Sequence, residues 1–308
     1  MNTPDAAGRP APTTKRVTVA EIARMRAAGE RIAMLTCYDY PTARVLDEAG
    51  IPILLVGDSL GMVVLGYDTT VRVSMEEMLH HTRAVARGTR RALVVADMPF
   101  LSYGVSVEAS LANAGRFLSD AGAGAVKVEG GERTARTIEA LTRIGIPAMG
   151  HIGLTPQAVH QLGGYRVQGR TRQSARALLN DALAVQQAGA FAVVLELVPA
   201  QLAAAITERL TIPTIGIGAG AGCSGQVQVV TDLLGLTADR TPRHARVYAD
   251  LRGEIRAAVE RYQADVASGA FPAEAESWRM EDELLAEVLG RSELDRTPAE
   301  GIPLDRDL

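Results

Sequence analysis

Short apolar runs alternate along this chain with longer amphipathic stretches. The runs span Ile32 to Cys37, Ile53 to Val56, Ala92 to Ala96, Ala125 to Val128, Pro147 to Gly150, Phe191 to Leu195 and Pro213 to Ile217, with a shorter candidate at Val227 to Val230. Most are continuous rather than alternating and rich in Val, Ile or Leu. That is the pattern of strands covered on both faces, as in a parallel sheet. Helix-length stretches lie between them, at Met75 to Ala86, Val107 to Ala121, Glu132 to Ile144, Gln173 to Ala188 and Pro199 to Leu210. Repeated strand–helix alternation predicts α/β architecture, and about eight units in roughly 220 residues favour a closed (β/α)8 TIM barrel over an open sheet. Val19 to Arg26 predicts an extra helix ahead of the first strand. Three helix-to-strand connections share a form: Ala49 to Pro52, Ile144 to Pro147 and Leu210 to Pro213. Their Pro bars the helix from continuing, and Gly in the first two serves as a helix stop.

Composition then narrows the class. The chain has 308 residues, 47% hydrophobic and 22% charged, with a net charge of −4. This is an ordinary globular balance with no basic face to draw nucleic acid. Cys37 and Cys223 are too few for a disulfide framework and suit a reducing cytosol. No apolar run approaches the ~20 residues of a membrane helix. The start, rich in Pro, Ala and Thr, lacks the apolar segment of a secretory signal, so the cytoplasm is the expected location. The expected organisation is a disordered lead-in over residues 1–16, a single catalytic barrel domain over 17–272, and an acidic C-terminal extension over 273–308, partly helical or flexible, with a short helix from Glu281 to Leu289.

Reactive groups of such barrels collect where strands end and βα loops begin. The second strand exits through Asp58 and Ser59, the third through Asp97, the fourth through Lys127 and Glu129, the fifth through His151 and the sixth through Glu196. Lys127 and Glu129 share one face of their strand by its period of two. Each has a plain structural alternative: Asp58 as a helix cap, Asp97 as a turn residue, Lys127 with Glu129 as an ion pair, His151 as a hydrogen-bonded core residue. Glu196 follows an apolar run directly and needs a partner or a raised pKa. Independent caps and pairs at the same end of five successive strands are less economical than one shared site. Carboxylates without a Cys–His cluster favour Mg²⁺, with Mn²⁺ possible, over zinc. An ion held by one or two carboxylates leaves room for a chelating 2-oxo acid and can stabilise an enolate as a Lewis acid. In this reading Lys127 offsets the substrate carboxylate and Glu196 acts as base.

Other motifs weigh less. Gly220 to Gly225 has dinucleotide-fingerprint spacing but follows a late strand, so a Gly-rich backbone approach to some ligand is preferred. Gly57 to Gly61 has the spacing of a hydrolase elbow, but Val63 to Val73, with Gly66, Asp68 and β-branched residues, does not read as the helix that should follow. His80 and His81 read as surface or packing residues within a helix, and Trp278 shows no role.

Together these motifs resemble the ketopantoate hydroxymethyltransferase family over about Val17 to Pro272. They are Thr-Cys-Tyr-Asp-Tyr from Thr36, Leu-Val-Gly-Asp-Ser-Leu-Gly-Met from Leu55, Ala-Asp-Met-Pro-Phe from Ala96 and Val-Lys-Val-Glu-Gly-Gly from Val126. Further on come Gly-His-Ile-Gly-Leu-Thr-Pro-Gln from Gly150, Gly-Gly-Tyr-Arg-Val-Gln-Gly from Gly163, Leu-Glu-Leu-Val-Pro from Leu195 and Gly-Ile-Gly-Ala-Gly from Gly216. The resemblance implies a (β/α)8 barrel and transfer of a hydroxymethyl group from 5,10-methylenetetrahydrofolate to 3-methyl-2-oxobutanoate, the first step of pantothenate synthesis. It implies Asp58 and Asp97 as direct ligands of one Mg²⁺ per subunit, with Glu129 completing the metal site. Ser59 and Lys127 would hold the substrate carboxylate, His151 would line the pocket, and Glu196 would accept the proton from C3. It also implies a large homo-oligomer, often of ten subunits, and leaves the folate contacts unassigned. Ser224 and Arg166 depart from the Asp and Lys common among relatives. The competing class is a folate-independent enolate-forming barrel of the phosphoenolpyruvate mutase and isocitrate lyase type, but its Lys-x-Cys-Gly-His loop is absent. A non-catalytic barrel is a third class, which predicts loss of one or more of the acids; all are present.

Overall fold

Eight short strands, β1 (Ile32–Thr36), β2 (Ile53–Val56), β3 (Leu93–Asp97), β4 (Ala125–Glu129), β5 (Ala148–Gly153), β6 (Ala192–Glu196), β7 (Thr214–Ile217) and β8 (Gly225–Gln228), pair in sequence order. They close into a barrel, with β1 pairing β8, and every pairing is parallel. The (β/α)8 architecture expected from the alternation is therefore the fold. The computed structural model describes residues 15–237 and 241–290. Most of the expected lead-in and the final stretch from Arg296 lie outside the described residues.

The helices are α1 (Val19–Ala27), α2 (Tyr40–Glu48), α3 (Leu60–Val63), α4 (Met75–Gly88), α5 (Val107–Ser119), α6 (Glu132–Arg143), α7 (Val159–Leu162), α8 (Arg172–Gln187), α9 (Ala200–Arg209), α10 (Val230–Leu233), α11 (Leu251–Ser268) and α12 (Asp282–Gly290). Their starts follow local chemistry. Ser74 and Glu77 form a capping box at α4, and Asp39 caps α2 with Pro41 in its first turn.

Two apolar layers hold the barrel. Outside it, strand residues such as Leu54, Val94, Val126 and Val193 pack with buried helix residues such as Met78, Phe117, Ile138 and Ile206. Inside, Ile32, Ile53, Leu93, Ala125, Met149, Ala192 and Ile215 form a second cluster with Val17 and Ile22, so α1 and its lead-in close the base.

Several expectations shift. β8 starts two residues before the apolar run at Val227. Gly225 and Gln226 already pair with Ile32 and Ala33, and a Cβ on Gly225 would come 2.2 Å from the Ile32 carbonyl oxygen. α2 and α11 carried no expectation. A single helical turn, α3, does follow Ser59, where the apolar pattern suggested none. The Gly220 loop leads into β8, not a helix. Added Cβ atoms at Gly220 and Gly222 would come 2.5 Å and 2.7 Å from the Cβ atoms of Ala200 and Ala204. Those glycines let the loop press against α9.

The chain divides into two units, residues 1–252 and 253–308. In the second, α12 runs from Asp282 to Gly290, one residue from the expected helix. Among its described residues, Tyr262 stacks edge-on against Phe271, and Trp278 is 97% exposed.

Candidate active site

The inward rows of the strands change chemistry along their length. On β3 the row reads Leu93, Val95, Asp97; on β4, Ala125, Lys127, Glu129; on β5, Met149, His151; on β6, Ala192, Val194, Glu196. The apolar members fill the barrel, and the last members arrive at its C-terminal mouth. Strand register then sets the neighbours. Asp97 pairs across from Lys127, and Glu129 from His151. Asp58 and Ser59 arrive from the β2 exit.

All seven expected residues, Asp58, Ser59, Asp97, Lys127, Glu129, His151 and Glu196, line one cavity of about 590 Å³. Asp58, Asp97, Glu129 and His151 are each 3% exposed and Lys127 4%. Lys127 Nζ lies 3.2 Å from Asp97 Oδ1, 3.7 Å from Glu129 Oε1 and 3.0 Å from His151 Nδ1. His151 Nδ1 is 3.4 Å from Glu129 Oε1, and its Nε2 is 3.2 Å from Glu196 Oε2. The Asp58 amide donates to Asp97 Oδ2 at 3.0 Å. Two of the plain alternatives fall away. The Asp58 carboxylate caps no helix but accepts from Gln157, and Lys127 with Glu129 is one edge of a larger network.

Burial, and then the Asp97 and Glu129 charges, push the Asp58 pKa well up. Burial also raises Asp97, although Lys127 opposes it. Burial acts against ionised Glu129 too, but His151, Lys127 and the Gln157 amide outweigh it and lower that pKa. Lys127 is held charged by Asp97, Glu129 and Asp58 despite its burial. Burial and Lys127 disfavour a charged His151 ring, yet Glu129 and Glu196 bring its pKa up to about 9. The near approach of Lys127 Nζ and His151 Nδ1 is a hydrogen-bonding contact flanked by the Asp97 and Glu129 carboxylates.

Four carboxylates here surround one lysine, Lys127, and the His151 ring. Asp97 Oδ1 is buried with no aligned hydrogen bond. An excess of buried negative charge with an open oxygen is costly unless a further cation joins it. The donor set therefore fits a hard divalent ion. The form of the fit differs from a three-carboxylate cage over Asp58, Asp97 and Glu129. Among the described residues no group of three or more His, Cys, Asp or Glu side chains is arranged to hold one ion. Glu129 Oε1 turns to Lys127 and His151, and its Oε2 accepts from the Gln157 amide at 3.0 Å.

Residues that the sequence did not single out complete the site. Tyr38 Oη shares a hydrogen bond with Ser59 Oγ at 2.9 Å, and His81 Nδ1 lies 2.6 Å from the Tyr38 carbonyl oxygen. His81 thus has a packing role, as expected, while His80 is exposed. The hydroxyl of Ser59 engages Tyr38 rather than a histidine, which speaks against a hydrolase elbow. Tyr38 stood in the Thr-Cys-Tyr-Asp-Tyr motif, but nothing in that pattern says where its hydroxyl points. Tyr165, about half exposed, reaches the cavity from the Gly163 loop and donates to Met62 Sδ at 3.5 Å. Of the two departures, Ser224 lies just before β8, hydrogen-bonded to Thr214 at the barrel base, away from the mouth.

The family model of ketopantoate hydroxymethyltransferase matches residues 16–274. A curated 3-methyl-2-oxobutanoate hydroxymethyltransferase of Chloroflexus aggregans is 62% identical over 278 residues, covering 90% of this chain and 99% of the relative. One of Dehalococcoides mccartyi is 56% identical, covering 89% and 97%. The chain belongs to the ketopantoate hydroxymethyltransferase family. It is accordingly an enzyme, a hydroxymethyltransferase. Solved structures with the same fold include a phosphoenolpyruvate phosphomutase from Streptomyces platensis subsp. rosaceus, with TM-score 0.55 and 17% identity, covering 90% of this chain and 97% of that one. A phosphonopyruvate hydrolase in complex with oxalate and Mg++ matches with TM-score 0.53 and 14% identity, covering 89% and 95%. At such identities these two share the barrel alone. Among the described residues no helix is long and apolar enough to cross a membrane.

Proposed function

We propose that this hydroxymethyltransferase moves a one-carbon unit from 5,10-methylenetetrahydrofolate to C3 of 3-methyl-2-oxobutanoate, giving 2-dehydropantoate for pantothenate and coenzyme A synthesis. The observation that carries the reading is the single cavity shared by all seven strand-exit residues. Asp58 and Asp97 would hold Mg²⁺, with Glu129 completing the site from beside Lys127. Bound there, the ion supplies Lewis acidity toward the keto and carboxylate oxygens of the 2-oxo acid.

The chain's own residues do the rest. Lys127 and Ser59 hold the substrate carboxylate. Glu196 takes the C3 proton, and the electron pair left at C3 forms the bond to the incoming carbon as that carbon's bonds to the folate nitrogens break; water supplies the hydroxyl, and tetrahydrofolate leaves. His151, whose Nε2 lies 3.2 Å from Glu196 Oε2, borders that carboxylate in the cavity. A cavity of about 590 Å³ falls in the range of pockets for drug-sized ligands, roomier than a small oxo acid needs and open to a second reactant.

A cytoplasmic setting belongs to the same reading, supported by two buried free thiols, Cys37 and Cys223. So does a homo-oligomer, a decamer by the resemblance. Ile255, Val259, Tyr262 and Val266 form an exposed stripe on α11, and Leu284, Leu285, Val288 and Leu289 another on α12. A second copy of the chain is the partner that suits them, and sedimentation of a single small species at micromolar concentration would remove this part.

Proton exchange at C3 of 3-methyl-2-oxobutanoate, followed by NMR without folate, tests the chemistry. Exchange is expected with Mg²⁺ and lost in excess chelator. Glu196→Gln should keep the fold and metal binding but slow exchange by roughly 10² to 10⁴. Unchanged exchange in that variant removes Glu196 as base.

A further inference from the structure

Gln157 lies in the one-turn 3-10 helix Pro156–Ala158 that follows β5, and it is 7% exposed. Its side chain reaches groups from other strand exits. Nε2 donates to Asp58 Oδ2 at 2.8 Å and to the Met98 carbonyl oxygen at 2.9 Å. Oε1 accepts from Tyr103 Oη at 2.6 Å. Its backbone amide donates to Glu129 Oε2 at 3.0 Å. Two acceptors on one side and a phenol donor on the other leave the amide one satisfied orientation, because a flipped group would set oxygen against oxygen. Tyr103 is itself anchored to the β4 exit, where Oη accepts from the Glu129 amide at 3.2 Å. One residue from the β5 loop therefore ties down a carboxylate oxygen from each of two other strands.

We propose that Gln157, oriented by Tyr103, is a positioning residue that holds Asp58 and Glu129 so that the oxygen of Asp58 it leaves free serves the divalent ion. The inference rests on the magnesium reading above and adds to it. Carboxylates that bind metal work best when their other oxygen is fixed by hydrogen bonds, and loss of such a partner typically weakens metal binding by 10–100-fold. Neither Gln157 nor Tyr103 touches substrate in this scheme. Their contribution is to spare the ion the ordering of a free carboxylate.

Calorimetric titration of Mg²⁺ into the full chain tests this, with wild type, Asp97→Ala, Gln157→Met and Tyr103→Phe compared. Gln157→Met keeps length and volume but loses both donors and the acceptor. The expected result is Mg²⁺ binding roughly 10–100-fold weaker in Gln157→Met and weaker by a smaller factor in Tyr103→Phe. The Mg²⁺ concentration for half-maximal C3 exchange should rise in parallel, while the KM for the 2-oxo acid moves much less. A purely structural role would lower thermal stability without separating these two constants. Mg²⁺ affinity within twofold of wild type in both variants overturns the role given to Gln157. If Gln157→Met does not fold, Tyr103→Phe decides by the same criterion. Wild type that binds no Mg²⁺, or binding unchanged in Asp97→Ala, removes the magnesium reading itself and this inference with it.

Discussion

The base and the mouth of the barrel are built from the same strands, four residues apart on β3, β4 and β6, yet they solve opposite problems. At the base the inward rows begin with Ile32, Ile53, Leu93, Ala125 and Ala192, closed off by Ile22, which is wholly buried. At the mouth the same rows finish on Asp97, Glu129, His151 and Glu196. Apolar packing at the base is satisfied by its neighbours. The charges at the mouth satisfy one another only in part, and leave Asp97 Oδ1 and His151 Nε2 without aligned partners. The barrel thus spends its apolar end on stability and keeps an incompletely satisfied end for chemistry.

Changes at the two ends should therefore separate activity from stability. The largest effect is expected of Asp97→Ala, which should abolish Mg²⁺-dependent turnover while the barrel stays folded. Full activity in this variant with excess chelator present would sink the metal reading. Lys127→Ala should come next, mainly as a raised KM for 2-oxo acids. An unaltered affinity would reject its place at the substrate carboxylate. At the base, Ile22→Ala should cost roughly 2–5 kcal/mol of stability in denaturant titration. The turnover number per folded molecule should hold, and a drop there would mean that base and mouth are coupled.

The smallest effect concerns pH. His151 is raised to about 9 in the folded protein, above the ordinary value near 6.5. The proton is thus bound more tightly in the folded state. Its stabilising contribution is complete below about pH 6.5 and is lost as pH rises through about 9. The thermal midpoint in chelator should fall between pH 7 and 10, and His151→Asn should flatten that fall. An equal slope in both proteins would place the dependence elsewhere.

Local pattern made much of this legible. Continuous Val- and Ile-rich runs marked β1 to β7 within a residue or two at their starts, because strands covered on both faces must be apolar throughout. β8 was placed late, since Gly225 and Gln226 carry no apolar signal and are strand only because β1 and β7 flank them. α11 was missed, as its apolar stripe is thin among Arg and Glu residues. Strand exits exposed the seven cavity residues as candidates, because charge is conspicuous at the end of an apolar run. Gln157, Tyr103 and Tyr38 had no such contrast. They are neutral polar residues in loop segments, and their importance comes from what they reach across the barrel.

Alternation of apolar and amphipathic segments was enough to determine the closed parallel barrel and which strand ends carry acid, base and amine. Each of those properties is local, set by side-chain type and a period of two or 3.6. Tertiary structure alone decided the register that sets Asp97 beside Lys127 and Glu129 beside His151, the amide of Gln157 between two carboxylates, and the protonation bias of the buried ring. Those depend on distances between residues far apart in sequence, and on burial, which exists only once the chain has closed on itself.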